Sequence, residues 1–363
     1  MIVRVLFITG SYPPMKCGVG DYSRNLAESL ARLPNFQVGV LTSRKADGSA
    51  TGSSVTMFSV IDSWKLLELP KVISVVLKWA PDVVHVQYPT QGYGRSRMPW
   101  LLPILCFLMG KKIVQTWHEE YGGRYLPWML AKMVTPSKIV VVRPGYQERV
   151  HPWLRWLFKY KDLSFIRSAA AIPTAHLVEP KFSEIRAKYL QNQKRLIVFF
   201  GFIYPHKRLE FLFEIATPQT DQIVIAGEAM TTGAYLERIR ALAASPDWCG
   251  KVNFTGFLPE DEIAELLAVA DTVVLPFQHG GGEWNTSILG AILQKTFVLT
   301  TSKTVHGYDE MQNVYFSRID DVEDMRQALQ NYSGQKRKFD SKFEGDDWQR
   351  IAASHIQIYS EET

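Results

Sequence analysis

Ten short runs rich in Val, Ile, Leu and Phe alternate with helix-patterned segments, and they fall in two series of five. The first series is "VRVLFITG", "FQVGVLTS", "VVHVQY", "KIVQTW" and "KIVVV". The second starts near Leu196 and comprises "RLIVFFG", "QIVIAGE", "KVNFTGF", "DTVVLPF" and "TFVLTT". Continuous apolar runs of this length suit parallel strands covered on both faces. Between them lie patterns such as "DYSRNLAESLARL" (residues 21–33), with Leu26, Leu30 and Leu33 at helical spacing. Another, "PEDEIAELLAVA" (259–270), opens with acids suited to a helix N-terminus. A βαβα pattern run twice predicts the α/β class, with two doubly wound, Rossmann-like domains facing across a cleft. The expected divisions are 1–175, 176–345 and a C-terminal amphipathic helix, 346–363, packing back toward the first domain. The join is expected near 172–179. Ligands of such sheets bind beyond the carboxyl ends of the strands, so polar residues there are the candidates for function.

At 363 residues and 46% hydrophobic content, two ordinary domains are expected and disorder is not. Cys17, Cys106 and Cys249 share no metal-ligand spacing, and so sparse a set suits a reducing, cytoplasmic setting. The first apolar run is strand-length and breaks at Gly10, so no signal peptide is expected. The net charge of +5 is uneven. Residues 1–175 hold 22 Lys+Arg against 10 Asp+Glu, a net of +12, which leaves −7 for the remainder. A basic half suits nucleic acid or an anionic membrane. No nucleic-acid motif is present, so the membrane is favoured. "WLLPILCFLMG" (100–110) is too short to span ~30 Å of hydrocarbon at about 1.5 Å per residue, and reads as a buried helix. "RVHPWLRWLFKYK" (149–161) alternates aromatics with cations. It reads either as a helix on a membrane surface or as an aromatic interdomain face.

Four strand ends carry chemistry. After the first strand, Gly18 and Gly20 precede a helix expected near Asp21, which would let amides approach a phosphate. A tight glycine turn fits them equally well. "QTWHEEYGG" places His118 at a strand end with Glu119 and Glu120 beside it. In "GFIYPHKR", Lys207 and Arg208 are expected to begin a helix, where cations and helix amides would converge on a diphosphate. "PFQHGGGEWNTSILGAILQ" (276–294) sets glycines, including Gly281 and Gly282, ahead of a helix near Ser287, with Asn285 or Thr286 as N-cap. It reads as a nest of amides for phosphate, with Glu283 facing sugar or ribose hydroxyls. The acidic pairs Asp320–Asp321 and Asp346–Asp347 read as solvated helix ends, and no metal site is expected.

Taken together, these motifs resemble the retaining GT-B-fold glycosyltransferases of family 4, of the kind that build bacterial polysaccharides. The resemblance runs through "CGVGDYS", "PDVVHVQ", "TWHE", "GFIYPHKR", "GFLPEDEIAELLAVADTVVLPF" and the Trp-containing C-terminal helix. It implies a nucleotide-diphosphate sugar as co-substrate and no cofactor. Lys207 matches the phosphate-binding lysine and His118 the histidine that contacts the donor sugar. Gly18 and Gly20 match the loop that approaches the diphosphate, while Phe257 and Leu258, with Glu228, fall where base and ribose are read. The acceptor is expected near Tyr88, Tyr93 and Arg95. Two departures stand out. Phe202 occupies the family's usual arginine position, and the paired glutamates fall on Gly282 and Gly290, with Glu283 the nearest replacement for the first.

The reaction so implied is transfer of a hexose, best guessed as glucose from UDP-glucose, with retention and without a metal. The acceptor would be a saccharide or lipid-linked saccharide at an anionic inner membrane face. A degenerate nucleotide-sugar-binding protein, or a GT-B hydrolase or epimerase on the same donor, is the alternative. A nicotinamide oxidoreductase is disfavoured. G-x-G-x-x-G is absent after the first strand, and the second strand ends "LTSRK" rather than in an acid.

Overall fold

The computed structural model describes residues 2–47, 54–119, 126–159, 161–229, 233–337 and 347–361. The chain divides into two compact units, Met1–Ala171 with Asp346–Thr363, and Ile172–Gly345.

The first unit is built on seven parallel strands: β1 (Val3–Ile8), β2 (Phe36–Ser43), β3 (Thr56–Ile61), β4 (Val83–Tyr88), β5 (Lys112–Trp117), β6 (Lys138–Val141) and β7 (Leu163–Phe165). Their order is β3-β2-β1-β4-β5-β6-β7. The direction of winding thus reverses between β1 and β4, whose Val5–Ile8 and Val83–Val86 are in register. Strand side chains alternate between the two faces. Leu6 and Ile8 pack beneath helices α2 (Leu69–Trp79), α3 (Met98–Leu108) and α4 (Leu126–Val134). Val5 and Phe7 point to the opposite core. There α1 (Gly18–Ala31) contributes Leu26, Ala27 and Leu30, and the C-terminal helix contributes Ile351, Ala352 and Ile358. The "WLLPILCFLMG" run lies within α3 and the turn after it, buried at Trp100, Leu102 and Cys106 and exposed at Leu108.

The second unit repeats the plan. Its strands are β8 (Arg195–Phe200), β9 (Asp221–Ala226), β10 (Val252–Gly256), β11 (Thr272–Leu275), β12 (Val298–Ser302), β13 (Gly307–Asp309) and β14 (Val314–Arg318). Their order is β10-β9-β8-β11-β12-β14-β13, parallel except for the β13–β14 pair. The winding reverses here between β8 and β11.

Two parallel-dominated, doubly wound sheets were the expectation, and both are present. The runs singled out in the sequence account for five strands of each sheet. β3 and β7 extend the first sheet, and β13 and β14 the second.

Candidate functional site

In the second unit, two loops meet at the switch point between β8 and β11. The chain leaves β8 through Gly201, in a left-handed conformation (φ 139°). Gly227, after β9, approaches it so closely that a Cβ there would stand 1.9 Å from the Gly201 carbonyl oxygen. Only glycine fits that contact. The loop then turns through a short 3-10 segment, Pro205–Lys207, and Arg208 adopts a left-handed backbone before α8 (Glu210–Ile215). Lys207 and Arg208 therefore precede the helix; they do not begin it, contrary to expectation. The left-handed backbone of Arg208 ends the 3-10 turn and keeps it from running on into α8.

The second loop, after β11, joins the first. Gln278 N–H donates to the His206 carbonyl at 3.0 Å, and the Lys207 ammonium sits 4.0 Å from the centre of the Phe277 ring. Arg208 stacks on Phe211 and pairs with Asp320 at 3.1 Å. Asp320 is exposed, as expected of a solvated helix end, and is also an ion-pair partner. Asp321 caps helix α12 (Val322–Tyr332) by accepting from Asp324 N–H at 3.0 Å. Burial, with Lys207 and His279 nearby, lowers the His206 pKa.

The glycine run does not form the expected nest. Gly280 N–H donates to Phe277 O, Gly281 N–H to Thr301 O and Gly282 N–H to the Asn285 side chain, at 3.0, 2.7 and 3.0 Å. These amides are committed to the loop itself and to β12. Gly281 is small because Ile288 and Thr300 stand where a Cβ would go, and Gly282 because the Trp284 ring does. Beyond the glycines, the first-turn amides of α11 (Thr286–Leu293) are donors that a helix cannot satisfy itself. Asn285 is the N-cap residue, Thr286 the first helical position and Ser287 the second. Ser287 Oγ lies 3.4 Å from where a Cβ on Gly201 would stand, so α11 starts against the end of β8. Glu283 is half-buried on the same loop. At Gly290 a Cβ would meet Ile172 at 3.0 Å, so no acid stands on that turn of α11. Further along the same sheet edge, Glu228 follows β9 and its carbonyl accepts from Ile203 N–H at 3.1 Å. Phe257, exposed, and Leu258 follow β10.

In the first unit, α1 starts earlier than expected. Gly18 and Gly20 occupy its first turn, with Cys17 as N-cap. Gly18 faces open space, whereas Gly20 packs on Ser11. His118 directly follows β5 and is 8% exposed. Its ring meets Tyr22 of α1 edge-on (centroids 4.8 Å apart), and its Nε2 lies 2.8 Å from Gln87 Oε1. Burial, with Arg143 and His355 adding to it, pushes the His118 pKa down to about 3, so the ring is neutral. Glu119 pairs with Arg143 at 2.9 Å; Glu120 lies outside the described residues.

Two candidate acceptor contacts are corrected. Tyr88 and Tyr93 are buried in the core, stacked on one another with centroids 5.7 Å apart, and the Tyr93 hydroxyl donates to Ile8 O at 3.1 Å. Neither presents its side chain to a ligand. Arg95 is exposed.

The 149–161 segment is not one helix. It breaks between α5 (Tyr146–Arg149) and α6 (Pro152–Phe158) at Pro152. Trp156 is 60% exposed while Phe158 is buried. Lys161 donates to Thr135 O at 2.7 Å, and Arg155 to the carbonyls of Val150 and Glu148. Lys159 is exposed.

Sequence reasoning passed over the polar residues behind His118. Gln87 and His85 are fully buried on β4, in the run "VVHVQY", where they alternate with buried valines. Polar residues inside a strand covered on both faces were the available signal. Lys132 of α4 is likewise fully buried, its ammonium 3.4 Å above the Tyr88 ring, and burial pushes its pKa well down. Among the described residues, no group of three or more His, Cys, Asp or Glu is placed to hold a metal ion, and no helix is long and apolar enough to cross a membrane.

Comparison with known proteins agrees with this layout. Residues 194–333 match the family model of the glycosyl transferases group 1. No curated protein matches the chain. Among solved structures, a sucrose-phosphate synthase from Thermosynechococcus elongatus superposes with a TM-score of 0.71 at 17% identity, over 98% of both chains. HepE of Anabaena, solved in complex with UDP and glucose, gives 0.71 at 14% identity, over 98% of this chain and 97% of that one. A putative UDP-N-acetylglucosamine 2-epimerase from Listeria monocytogenes gives 0.64 at 14% identity, over 100% and 98%. At such identities the likeness concerns the fold. Residues 194–333, which span most of the second unit, are thus similar to the glycosyl transferases group 1, and the chain has the GT-B fold.

Proposed function

We propose that the protein is a retaining, metal-independent hexosyltransferase of family 4 that takes glucose from UDP-glucose and gives it to a saccharide or lipid-linked saccharide in cell-surface polysaccharide synthesis. The single observation that carries the reading is that Lys207, its ammonium over Phe277, and the start of α11 follow β8 and β11, the two strands at the switch point. A cation and unsatisfied helix amides are what a diphosphate needs, and they sit where doubly wound sheets bind ligands. Lys207 and the amides near Thr286 and Ser287 neutralise charge as the bond from the anomeric carbon to the diphosphate breaks. The departing phosphate oxygen takes the proton of the acceptor hydroxyl, which attacks the same face, so configuration is kept. His118 contacts the donor sugar, and Gly18 leaves room for the diphosphate beside the first amides of α1. Base and ribose are read by Glu228, Phe257 and Leu258, and Glu283 bonds sugar hydroxyls. Arg95 is the remaining acceptor candidate. Arg208 contributes less than Lys207, because Asp320 already balances its charge.

The protein works in the cytoplasm, and its first unit docks to an anionic leaflet through exposed Trp156 and Lys159. The committed glycine amides and the missing acid at Gly290 favour a second reading, a binding protein with a degenerate site, or a hydrolase or epimerase on the same donor. Calorimetric titration with UDP and UDP-glucose, with and without EDTA, tests the donor assignment. The proposal expects binding that EDTA leaves unchanged. Lack of binding, or binding abolished by EDTA, would contradict it.

A further inference from the structure

A continuous chain of buried polar groups runs from His118 to the C-terminal helix α13 (Asp347–Ser360), entirely within the first unit. His118 Nε2 lies 2.8 Å from Gln87 Oε1. Gln87 Nε2 lies 3.1 Å from His85 Nε2, which also faces Thr116 Oγ1 at 2.7 Å. His85 Nδ1 lies 2.7 Å from the Tyr359 hydroxyl. Every member is buried.

Donor and acceptor chemistry orders this chain. An amide oxygen only accepts, so the proton between His118 and Gln87 is on His118 Nε2. An amide NH2 only donates, so His85 Nε2 is bare, and the Thr116 hydroxyl donates to the same nitrogen. A neutral imidazole carries one proton, which for His85 is then on Nδ1, donating to the Tyr359 oxygen. Burial lowers the pKa of both rings, so each stays neutral. The far end is fixed. The Lys112 ammonium donates to Tyr359 O at 2.8 Å and to Glu361 O, and Lys138 pairs with Glu361 at 3.0 Å. Lys112 satisfies carbonyls at the end of α13, Lys138 binds the Glu361 carboxylate, and both cations complement the helix dipole.

We propose that Gln87 and His85 are positioning residues that lock His118 in a single tautomer, protonated at Nε2 and bare at Nδ1, and that Tyr359 anchors the chain from the C-terminal helix. His118 then offers its surroundings a hydrogen-bond acceptor, and the edge-on Tyr22 ring fixes the plane in which it does so. The consequence for turnover rests on the transferase reading above; the tautomer does not.

The test uses the full chain labelled with 15N-histidine, in long-range proton–nitrogen spectra at pH 7. The wild type should show His118 protonated at Nε2 and His85 protonated at Nδ1. Gln87→Met, close in size, should leave His118 in a mixture of tautomers. It should lower kcat about tenfold, the worth of one lost hydrogen bond, while KM for the donor changes less than threefold. Gln87→Glu keeps an acceptor for His118 but removes the donor to His85, so His118 should stay protonated at Nε2 while the His85 proton moves to Nε2, a split that a purely structural role would not give. Tyr359→Phe should loosen the His85 tautomer and cost turnover less than Gln87→Met. Wild-type spectra with His118 protonated at Nδ1 would overturn the proposal. So would Gln87→Met with unchanged spectra and unchanged kcat. If the wild type turns over no nucleotide sugar, the transferase reading fails, and the spectra alone decide this assignment.

Discussion

Lys207 and Arg208 are neighbours in sequence but occupy different electrostatic settings. Lys207 lies over the Phe277 ring, whereas Arg208 is held by Asp320. Replacing Lys207 with Ala should cut kcat about 10²–10³-fold, as removal of one preorganised charge contact does. Arg208→Ala should cost about tenfold or less. Comparable losses in steady-state assays would contradict the ranking. The buried histidines make a separate prediction about stability. Burial holds His118 near a pKa of about 3 and His355 near about 4, and His85 well below its ordinary 6.5. Between 6.5 and about 4, the unfolded chain binds protons that the folded one refuses, so stability falls as pH falls. Each histidine should cost the first unit about 2 kcal/mol at pH 5 relative to pH 7. Urea titrations at the two pH values check this; equal midpoints would contradict it. The candidates His118 and Lys207 were legible because ionisable residues after an apolar strand have few other uses. The state of the glycine amides was not, because a run of glycines reads the same whether its N–H groups are open or already bonded.

At the scale of elements, the C-terminal helix carries more than its amphipathic pattern announces. Trp348 donates from Nε1 to Ala170 O at 2.8 Å and packs edge-on against Tyr22, 5.2 Å between centroids. Trp348→Ala should therefore destabilise the first unit by about 2–3 kcal/mol. The second unit, which Trp348 does not join, should unfold at its own midpoint unchanged. Calorimetry showing both transitions shifted equally would contradict this. The surface of α6 makes a second test. Trp156→Ser with Lys159→Glu should weaken binding to vesicles rich in anionic lipid by about tenfold, with no effect on neutral vesicles. Unchanged binding in a flotation assay would remove the membrane assignment. Helices and long strands were readable from their periodicity. β7 and β13 are three residues each, too short for a pattern, and β3 is only half-buried, so its run is less apolar than its neighbours'. The break at Pro152 was visible as a proline, but the aromatic and cationic residues around it read as one continuous face.

For the whole molecule, alternation of strands and helices was enough to specify two doubly wound units, because parallel strands leave few other ways to cover both sheet faces. What it could not specify was which backbone groups stay available at each switch point, and hence which donor is held. That question is chemical, and one experiment addresses it most directly. The wild-type protein is incubated without acceptor with UDP-glucose, UDP-galactose, UDP-N-acetylglucosamine, GDP-mannose and ADP-glucose. Nucleotide release and the anomer of the freed sugar are followed by NMR. The account predicts slow release from UDP-glucose, with α-glucose appearing first. Release of the β-anomer first, or no binding and no release with any of the five, would contradict a retaining transferase built around Lys207 and the start of α11.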